Sequence, residues 1–267
     1  EKYNLKAIIL AAGQGKRLYP LTKNQPKCLV KLFGKSIIEW QIEKFDKCNI
    51  KNISIVRGYL GDMINFSNIN TYENKNYDTT NMVETLFCAK EELTEDVIIS
   101  YGDIIFEENV IKKLIQCQDD FAVIVDKNWE KYWKMRFQNP LSDAESLKID
   151  NEGFIMNIGQ RVNNSKEIEG QYIGLMKIRK NVIKNLKEFY EDKKMESKTG
   201  INPLNKEISF EQSFMTDLIQ SLINSNYKIK AVPIFGGWLE LDTIDDYELY
   251  EHMQNENTIE QLISINK

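Results

Sequence analysis

The sequence predicts an α/β fold, a mostly parallel mixed sheet with helices on both faces and a small antiparallel extension. Three observations carry that prediction. Short apolar runs at 7–10, 97–101 and 121–125 have the length and all-round hydrophobicity of strands buried on both faces. Stretches with helical periodicity alternate with them, as the right-handed crossovers of a parallel sheet require. The first run breaks into small residues, and two later ones end in an aspartate, which places ligand chemistry at the carboxyl ends of strands, where open α/β sheets bind ligands.

Taken in order, the strand at 7–10 opens onto Ala11, Ala12, Gly13 and Gly15. Ser36 is a good N-cap for a helix over 37–48, with Glu39 three residues on completing a capping box. A strand at 53–56 stops at Arg57-Gly58-Tyr59, and Thr80 is expected to cap a helix over 81–92. The strand at 97–101 ends in Gly102-Asp103, and a helix over 109–117 leads to the strand at 121–125. Beyond Asp126, Trp129, Tyr132, Trp133 and Phe137 interleave with Lys131, Lys134 and Arg136. Strand-like pieces at 146–149, 154–158 and 172–178 then read as the antiparallel extension. A helix is expected over 181–190, a mobile charged loop over 191–211 and an amphipathic helix over 214–223. Strands at 229–232 and 238–242 follow, the second ending in Asp242, and Thr243 caps a last helix whose first-turn acids, Asp245 and Asp246, suit its dipole.

Composition narrows the function. With 35 basic and 40 acidic residues the chain carries a net charge of −5, against the basic face a general nucleic-acid binder needs. The four cysteines, Cys28, Cys48, Cys88 and Cys117, are far apart with no C-x-x-C pair, so reduced thiols are expected and neither a zinc site nor a disulfide frame. No apolar run approaches a membrane span and no secretory leader is evident, so the expected location is cytoplasmic, with no membrane partner. His252 is the only histidine and falls in the polar C-terminal helix, which disfavours mechanisms built on imidazole.

The small-residue loop is a candidate triphosphate seat. Where side chains are absent, backbone N–H groups can approach phosphates closely. Leu10, Ala11, Ala12, Gly13, Gly15, Lys16 and Gly102 are therefore candidate nucleotide contacts, and Arg17 and Lys27 supply fixed positive charge. The spacing is not that of a Walker A loop, because one residue separates Gly13 from Gly15 and Lys16-Arg17 follows. Nor is it a dinucleotide fingerprint, which needs a small residue where Leu18 stands. Asp103 and Asp242 each follow a buried strand, and together they suit Mg²⁺, which takes one or two carboxylates and completes its octahedron with water and phosphate oxygens.

The strings LAAGQGKRLYPLT with Pro26-Lys27, Gly58-Tyr59, YGD at 101–103 and WLELDT at 238–243 resemble the nucleotidyltransferase superfamily. That resemblance implies a Rossmann-like, GT-A-like domain over 1–267, with 1–118 mainly nucleotide-binding, 119–242 mainly acceptor-binding and 243–267 a C-terminal helix. It implies that Gly13, Gly15 and Arg17 hold the triphosphate, that Lys27 contacts the reacting phosphates, and that Asp103 and Asp242 bind Mg²⁺. TTNM at 79–82, SYGDI at 100–104, GQYIGL at 170–175 and MTDL at 215–218 are similar to the cytidylyltransferase branch acting on phosphocholine, aminoalkylphosphonates and phosphoglutamine. The partners so implied are CTP and a phosphorylated small molecule, with no oligomeric state implied. L-glutamine phosphate, giving CDP-L-glutamine and pyrophosphate for capsular polysaccharide modification, is the first choice.

Phosphocholine, an aminoalkylphosphonate or a sugar 1-phosphate are the alternative acceptors, and a nucleotide-binding regulator is the non-enzymatic one. Sugar-phosphate members usually carry a Glu-Lys-Pro element where this chain has Asp126-Lys127-Asn128-Trp129. Trp129, Trp133, Tyr172 and Tyr190 could cage a quaternary ammonium or serve as core. An amino-acid acceptor would instead call for a cation such as Arg136 or Arg161 and an acid such as Glu145. Asn81 could read the cytosine edge with the backbone near Ala11 and Ala12, or simply begin its helix.

Overall fold

The computed structural model describes residues 4–266. β1 (Leu5–Ala11) is followed by a loop, a two-residue hairpin of β2 (Lys31–Leu32) and β3 (Lys35–Ser36), α1 (Ile37–Lys47), β4 (Asn52–Arg57) and β5 (Asn70–Glu73). Then come α2 (Met82–Phe87), β6 (Asp96–Tyr101), β7 (Ile104–Phe106), α3 (Glu108–Gln116), β8 (Phe121–Asp126) and α4 (Trp129–Arg136). The chain continues through β9 (Glu145–Ile149), β10 (Ile155–Arg161), β11 (Gln171–Ile178), α5 (Lys180–Ser197), α6 (Met215–Asn224), β12 (Lys230–Ile234), β13 (Trp238–Glu240) and α7 (Ile244–Asn255).

Seven strands form the main sheet in the order β12-β8-β11-β6-β1-β4-β5. β1 pairs in parallel with β4 and β6, and β12 pairs in parallel with β8. The period-2 geometry of a strand sends Ala7, Ile9 and Ala11 into one buried cluster and Ile8 and Leu10 into another, so β1 is apolar on both faces because each face has its own helical layer. Ser36 and Glu39 form the expected capping box, with Glu39 N–H donating to Ser36 Oγ at 3.2 Å and Ser36 N–H to Glu39 Oε2 at 2.7 Å. The buried Gln41 of α1 donates to the carbonyls of Tyr101 and Ile104 and so holds the turn carrying Asp103.

Three expectations require correction, and one stretch that the sequence left without an element proves helical. β11 is no part of a peripheral extension, because it lies antiparallel between β8 and β6 in the main sheet, and only β9 and β10 form a separate antiparallel pair. The aromatic and basic stretch after Asp126 is helical, with Trp129, Tyr132 and Trp133 turned inward. α5 runs on to Ser197, and Asn202 and Phe210 in the following segment are buried, with the Asn202 amide donating to Ser209 O and Ser213 Oγ. α2 is capped by Asn81, whose Oδ1 accepts from Met82 N–H, while Thr80 instead bonds within the preceding turn.

Candidate active site

At the end of β1 the loop is shaped by mutual packing of its own motif residues. Gly15 lies in the left-handed region at φ 66°, and a Cβ there would meet Lys27 Cβ at 3.0 Å and Thr22 Cγ2 at 3.1 Å. Thr22 Oγ1 donates to Gly15 O at 2.7 Å, and the Tyr59 hydroxyl donates to Thr22 O and Lys23 O. The Gly-Tyr string thus props the loop from behind. A Cβ on Gly13 would meet nothing within 4 Å, so that position leaves open space above the strand. Gly102 serves packing, because a Cβ there would strike Ala11 Cβ and Leu10 O at 2.8 Å.

Lys27 projects from a short turn after Pro26 into the space between two acids. Its Nζ lies 3.0 Å from Asp103 Oδ2 and 2.9 Å from Asp242 Oδ1, and Arg17 NH2 lies 2.7 Å from Asp242 Oδ2. Lys27 and Asp242 meet there although 215 positions apart in sequence. β13 pairs antiparallel with β7, and Leu241 N–H donates to Asp103 O at 2.8 Å, which brings the ends of the two acid-bearing segments together. α7 fixes the second acid, because Asp246 Oδ2 accepts from the N–H groups of Asp242 and Thr243 while Thr243 Oγ1 caps Asp246.

Burial alone would lower the Lys27 pKa, but the charges of Asp103 and Asp242 outweigh it and hold the ammonium above the ordinary lysine range. For Asp242 burial pushes upward, and Lys27 and Arg17 overcome it to hold the carboxyl below its usual range. Glu240, two residues before Asp242, is pushed up to about 7 by burial, against Arg136 and with the help of the nearby Asp103 and Asp242 charges. Asp103 Oδ1 is buried with no hydrogen-bond partner among the described residues. A carboxylate oxygen left so is an acceptor awaiting a ligand, which fits a hard cation. No group of three or more His, Cys, Asp or Glu among the described residues makes a protein-only metal cage. Two carboxylates suit an ion whose other ligands are phosphate oxygens and water.

A cavity of about 290 Å³ extends from these residues and is lined by Arg17, Asn81, Tyr172, Glu145, Trp133 and Glu240, among others. Glu145 stands exposed at its rim. Its carboxyl is shifted upward by the surrounding protein and by Asp143 and Asp217, and its backbone is held on both sides by the Gln171 amide. Tyr172 reaches the cavity from a bulge in β11. Arg136 does not face it. The guanidinium, 1% exposed, donates to both oxygens of Asp246 at 2.8 Å and to Glu240 Oε2 at 2.7 Å, so it clamps α7 to β13 and has no free edge for an acceptor. Arg161 is exposed on β10 and does not line the cavity. The four-aromatic cage is also dispersed, because Tyr190 stacks on Phe87 at 3.6 Å and Trp129 belongs to the core under α4, leaving Trp133 and Tyr172 at the cavity. Lys16 opens the short helical turn at 16–18 that follows Gly15.

Sequence reasoning missed Glu240, Gln171, Asp143 and Thr216. Glu240 was within reach, since it stands two residues before Asp242 in the same string; Gln171 and Thr216 lie in the strings at 170–175 and 215–218, which carry no indication of which residue faces a ligand, and Asp143 lies in no such string.

A sheet of this kind with cations and acids meeting over its carboxyl edge defines an enzyme that works on nucleoside triphosphates, a nucleotidyltransferase. Residues 7–199 match the family described as the MobA-like NTP transferase domain. The chain is 42% identical over 262 residues to the CTP:phosphoglutamine cytidylyltransferase of Campylobacter jejuni, across 92% of this chain and 98% of that protein. Among solved structures, the CTP:phosphocholine cytidylyltransferase of Streptococcus pneumoniae superposes with a TM-score of 0.70 at 21% identity over 94% of this chain and 99% of that one. The inositol-1-phosphate CTP transferase of T. maritima also gives 0.70, at 19% identity over 99% of each chain. The chain belongs to the MobA-like NTP transferase family, whose members generally use a divalent metal ion. No helix among the described residues is long and apolar enough to cross a membrane.

Proposed function

We propose that the protein transfers CMP from CTP to L-glutamine phosphate, releasing pyrophosphate and giving CDP-L-glutamine. The observation that carries the chemistry is the convergence of Lys27, Arg17, Asp103 and Asp242 on one point at the carboxyl edge of the sheet. The choice of base and acceptor is supported by the similarity to the Campylobacter protein, which spans nearly the whole of both chains.

In the transfer, an oxygen of the acceptor phosphate attacks the α-phosphorus of CTP, the bond from that phosphorus to the bridging oxygen breaks, and pyrophosphate departs with the bonding pair. A phosphate group loses its second proton near pH ~6, so the attacking oxygen needs no general base at neutral pH. What remains for the protein is alignment and charge. Lys27 stays an ammonium throughout the working range, and on nucleotide binding it exchanges a carboxylate partner for phosphate oxygens. Arg17, whose side chain is 68% exposed, is free to follow the outer phosphates. The open face over Ala11, Ala12 and Gly13 admits the phosphates to backbone N–H groups, with Leu10, Gly15, Lys16 and Gly102 framing that approach and Asn81 facing the base. Asp103 and Asp242 would hold Mg²⁺, which supplies Lewis-acid neutralisation of phosphate charge when bound. Glu145 would meet the acceptor's ammonium, and Tyr172 forms part of the wall beside it.

Incubation with CTP, Mg²⁺ and separate acceptors, followed by pyrophosphate release and mass measurement of the product, tests the reading. CDP-L-glutamine from phosphoglutamine in clear preference to phosphocholine, inositol phosphate and hexose 1-phosphate is the expected result. Turnover with hexose 1-phosphate alone would refute the acceptor, and no turnover with any of them would favour a nucleotide-binding regulator.

A further inference from the structure

We infer that the N-terminus of α6, together with the hydroxyls of Thr216 and Tyr172, seats the carboxylate of the acceptor's amino-acid end; this rests on the acceptor proposed above. The cavity is otherwise hostile to a carboxylate, since Asp103, Asp143, Glu145, Glu240 and Asp242 line it. Its cations, Arg17 and Lys27, are committed to the phosphate end through Asp103 and Asp242. An amino acid entering by its phosphate must therefore find neutral donors for its far end.

Those donors are present. α6 is ten residues long, and its first residues face the cavity through Phe214 and Thr216. Asp217 directs its carboxylate to Phe214 N–H and the Asn205 amide, and the N–H groups of Met215 and Thr216 have no acceptor among the described residues. Such a terminus attracts negative charge. Thr216 is only 7% exposed, and its hydroxyl has no hydrogen-bond partner among the described residues. It is held from behind by Gly159, at φ 78°, where a Cβ would come within 2.6 Å of Thr216 Oγ1. Tyr172 Oη is buried and has no close hydrogen-bond partner; the Tyr101 side chain, edge to face with it at 5.7 Å between centroids, offers only a long, weak one. The uncommitted Thr216 hydroxyl, the weakly held Tyr172 hydroxyl and the free N–H groups at the start of α6 belong to segments that line one cavity, a donor set suited to an oxygen anion. Glu145 stands at the same cavity for the ammonium.

The test is steady-state kinetics of the wild type, Thr216→Val, Thr216→Ser and Tyr172→Phe with phosphoglutamine and with its α-carboxamide. Hydrogen bonds to charged groups are worth enough to predict a roughly ten- to hundredfold rise in acceptor KM for Thr216→Val and Tyr172→Phe, with the CTP KM unmoved. Thr216→Ser should restore the wild-type value, and Thr216→Val should lose most of the preference for acid over amide. An unchanged acceptor KM, an undiminished preference for the acid, or an equal rise in the CTP KM would each overturn the seat while leaving the phosphoglutamine reading intact. A wild-type enzyme active on phosphocholine but inactive on phosphoglutamine would remove that reading and the seat with it.

Discussion

Lys27 is the residue on which the site turns, and its environment fixes what its loss should do. It is 14% exposed between two carboxylates of similar burial, so removing the ammonium leaves two like charges face to face. Lys27→Met is expected to lower kcat by roughly 100- to 1000-fold, the range for losing one preorganised donor to a transition-state charge. Single-turnover CMP transfer measures it, and a loss under tenfold would contradict the role. Asp242 supplies the pH dependence. Its carboxyl is held below the ordinary value of 3.8, so its stabilising contribution is present above that value and is lost as the pH falls through the lower folded one. Urea unfolding of wild type and Asp242→Asn should therefore show a stability gap that narrows as the pH drops below about 3.8; a gap constant with pH would mean that the pair is not ionised as described. Lys27 runs the other way, its contribution complete below its ordinary 10.5 and lost only at higher pH. These acids and cations were legible in the sequence because each sits in a short string with fixed neighbours. Arg136 was misread because its neighbours suggest a binding surface, whereas its partners, Asp246 and Glu240, are more than 100 residues away.

Elements position the site through contacts that no single one displays. The clamp from α4 to α7 and β13 is the clearest case. Arg136 also lies over the rings of Tyr132, Trp133 and Phe137 at 4.8–5.3 Å, and the Glu240 backbone is gripped by the hydroxyls of Tyr132 and Tyr250. Arg136→Met should cost about 3–5 kcal/mol, as for breaking one side of a buried pair. Equilibrium urea unfolding reads that loss, and the acceptor KM should rise no more than the CTP KM; a rise confined to the acceptor KM would return Arg136 to the binding surface. The glycine loop makes a smaller claim of the same kind. Gly15→Ala should lose about 1–2 kcal/mol, because an L-residue is disfavoured in the left-handed region and the new methyl presses on Lys27; thermal melts compare the two. α1 and α7 follow the sequence pattern closely because their caps at Ser36 and Thr243 are local, and α3 and α6 follow it through apolar residues spaced along one face. β11 escaped because an antiparallel strand in the middle of a parallel sheet has the same apolar run as one at the edge, and only its pairing with β6 and β8 distinguishes them. α4 escaped because aromatic residues at 129, 132, 133 and 137 have strand propensity and helical spacing together.

At the scale of the molecule, the main sheet sets β6 beside β1, and the separate β7–β13 ladder, whose β7 follows β6 in the chain, turns two distant aspartates into neighbours. The cavity wall proposed for the acceptor is built from the β11 bulge, the start of β9 and the N-terminus of α6, three segments far apart in the chain. For that reason the convergence of Lys27, Arg17, Asp103 and Asp242 could be anticipated from motifs, and the rest of the cavity wall only from the folded chain. The central claim is that Asp103 and Asp242 form one half of a metal site whose other half is the nucleotide. It is tested most directly by following pyrophosphate release from CTP and phosphoglutamine while titrating Mg²⁺ into chelator-stripped wild type and Asp242→Asn. No turnover is expected in the stripped enzyme, full recovery with Mg²⁺ in the wild type, and a maximal rate lower by roughly a hundredfold or more in the variant. A stripped enzyme that runs at full rate, or a variant that recovers like the wild type at the same Mg²⁺ concentration, would contradict it.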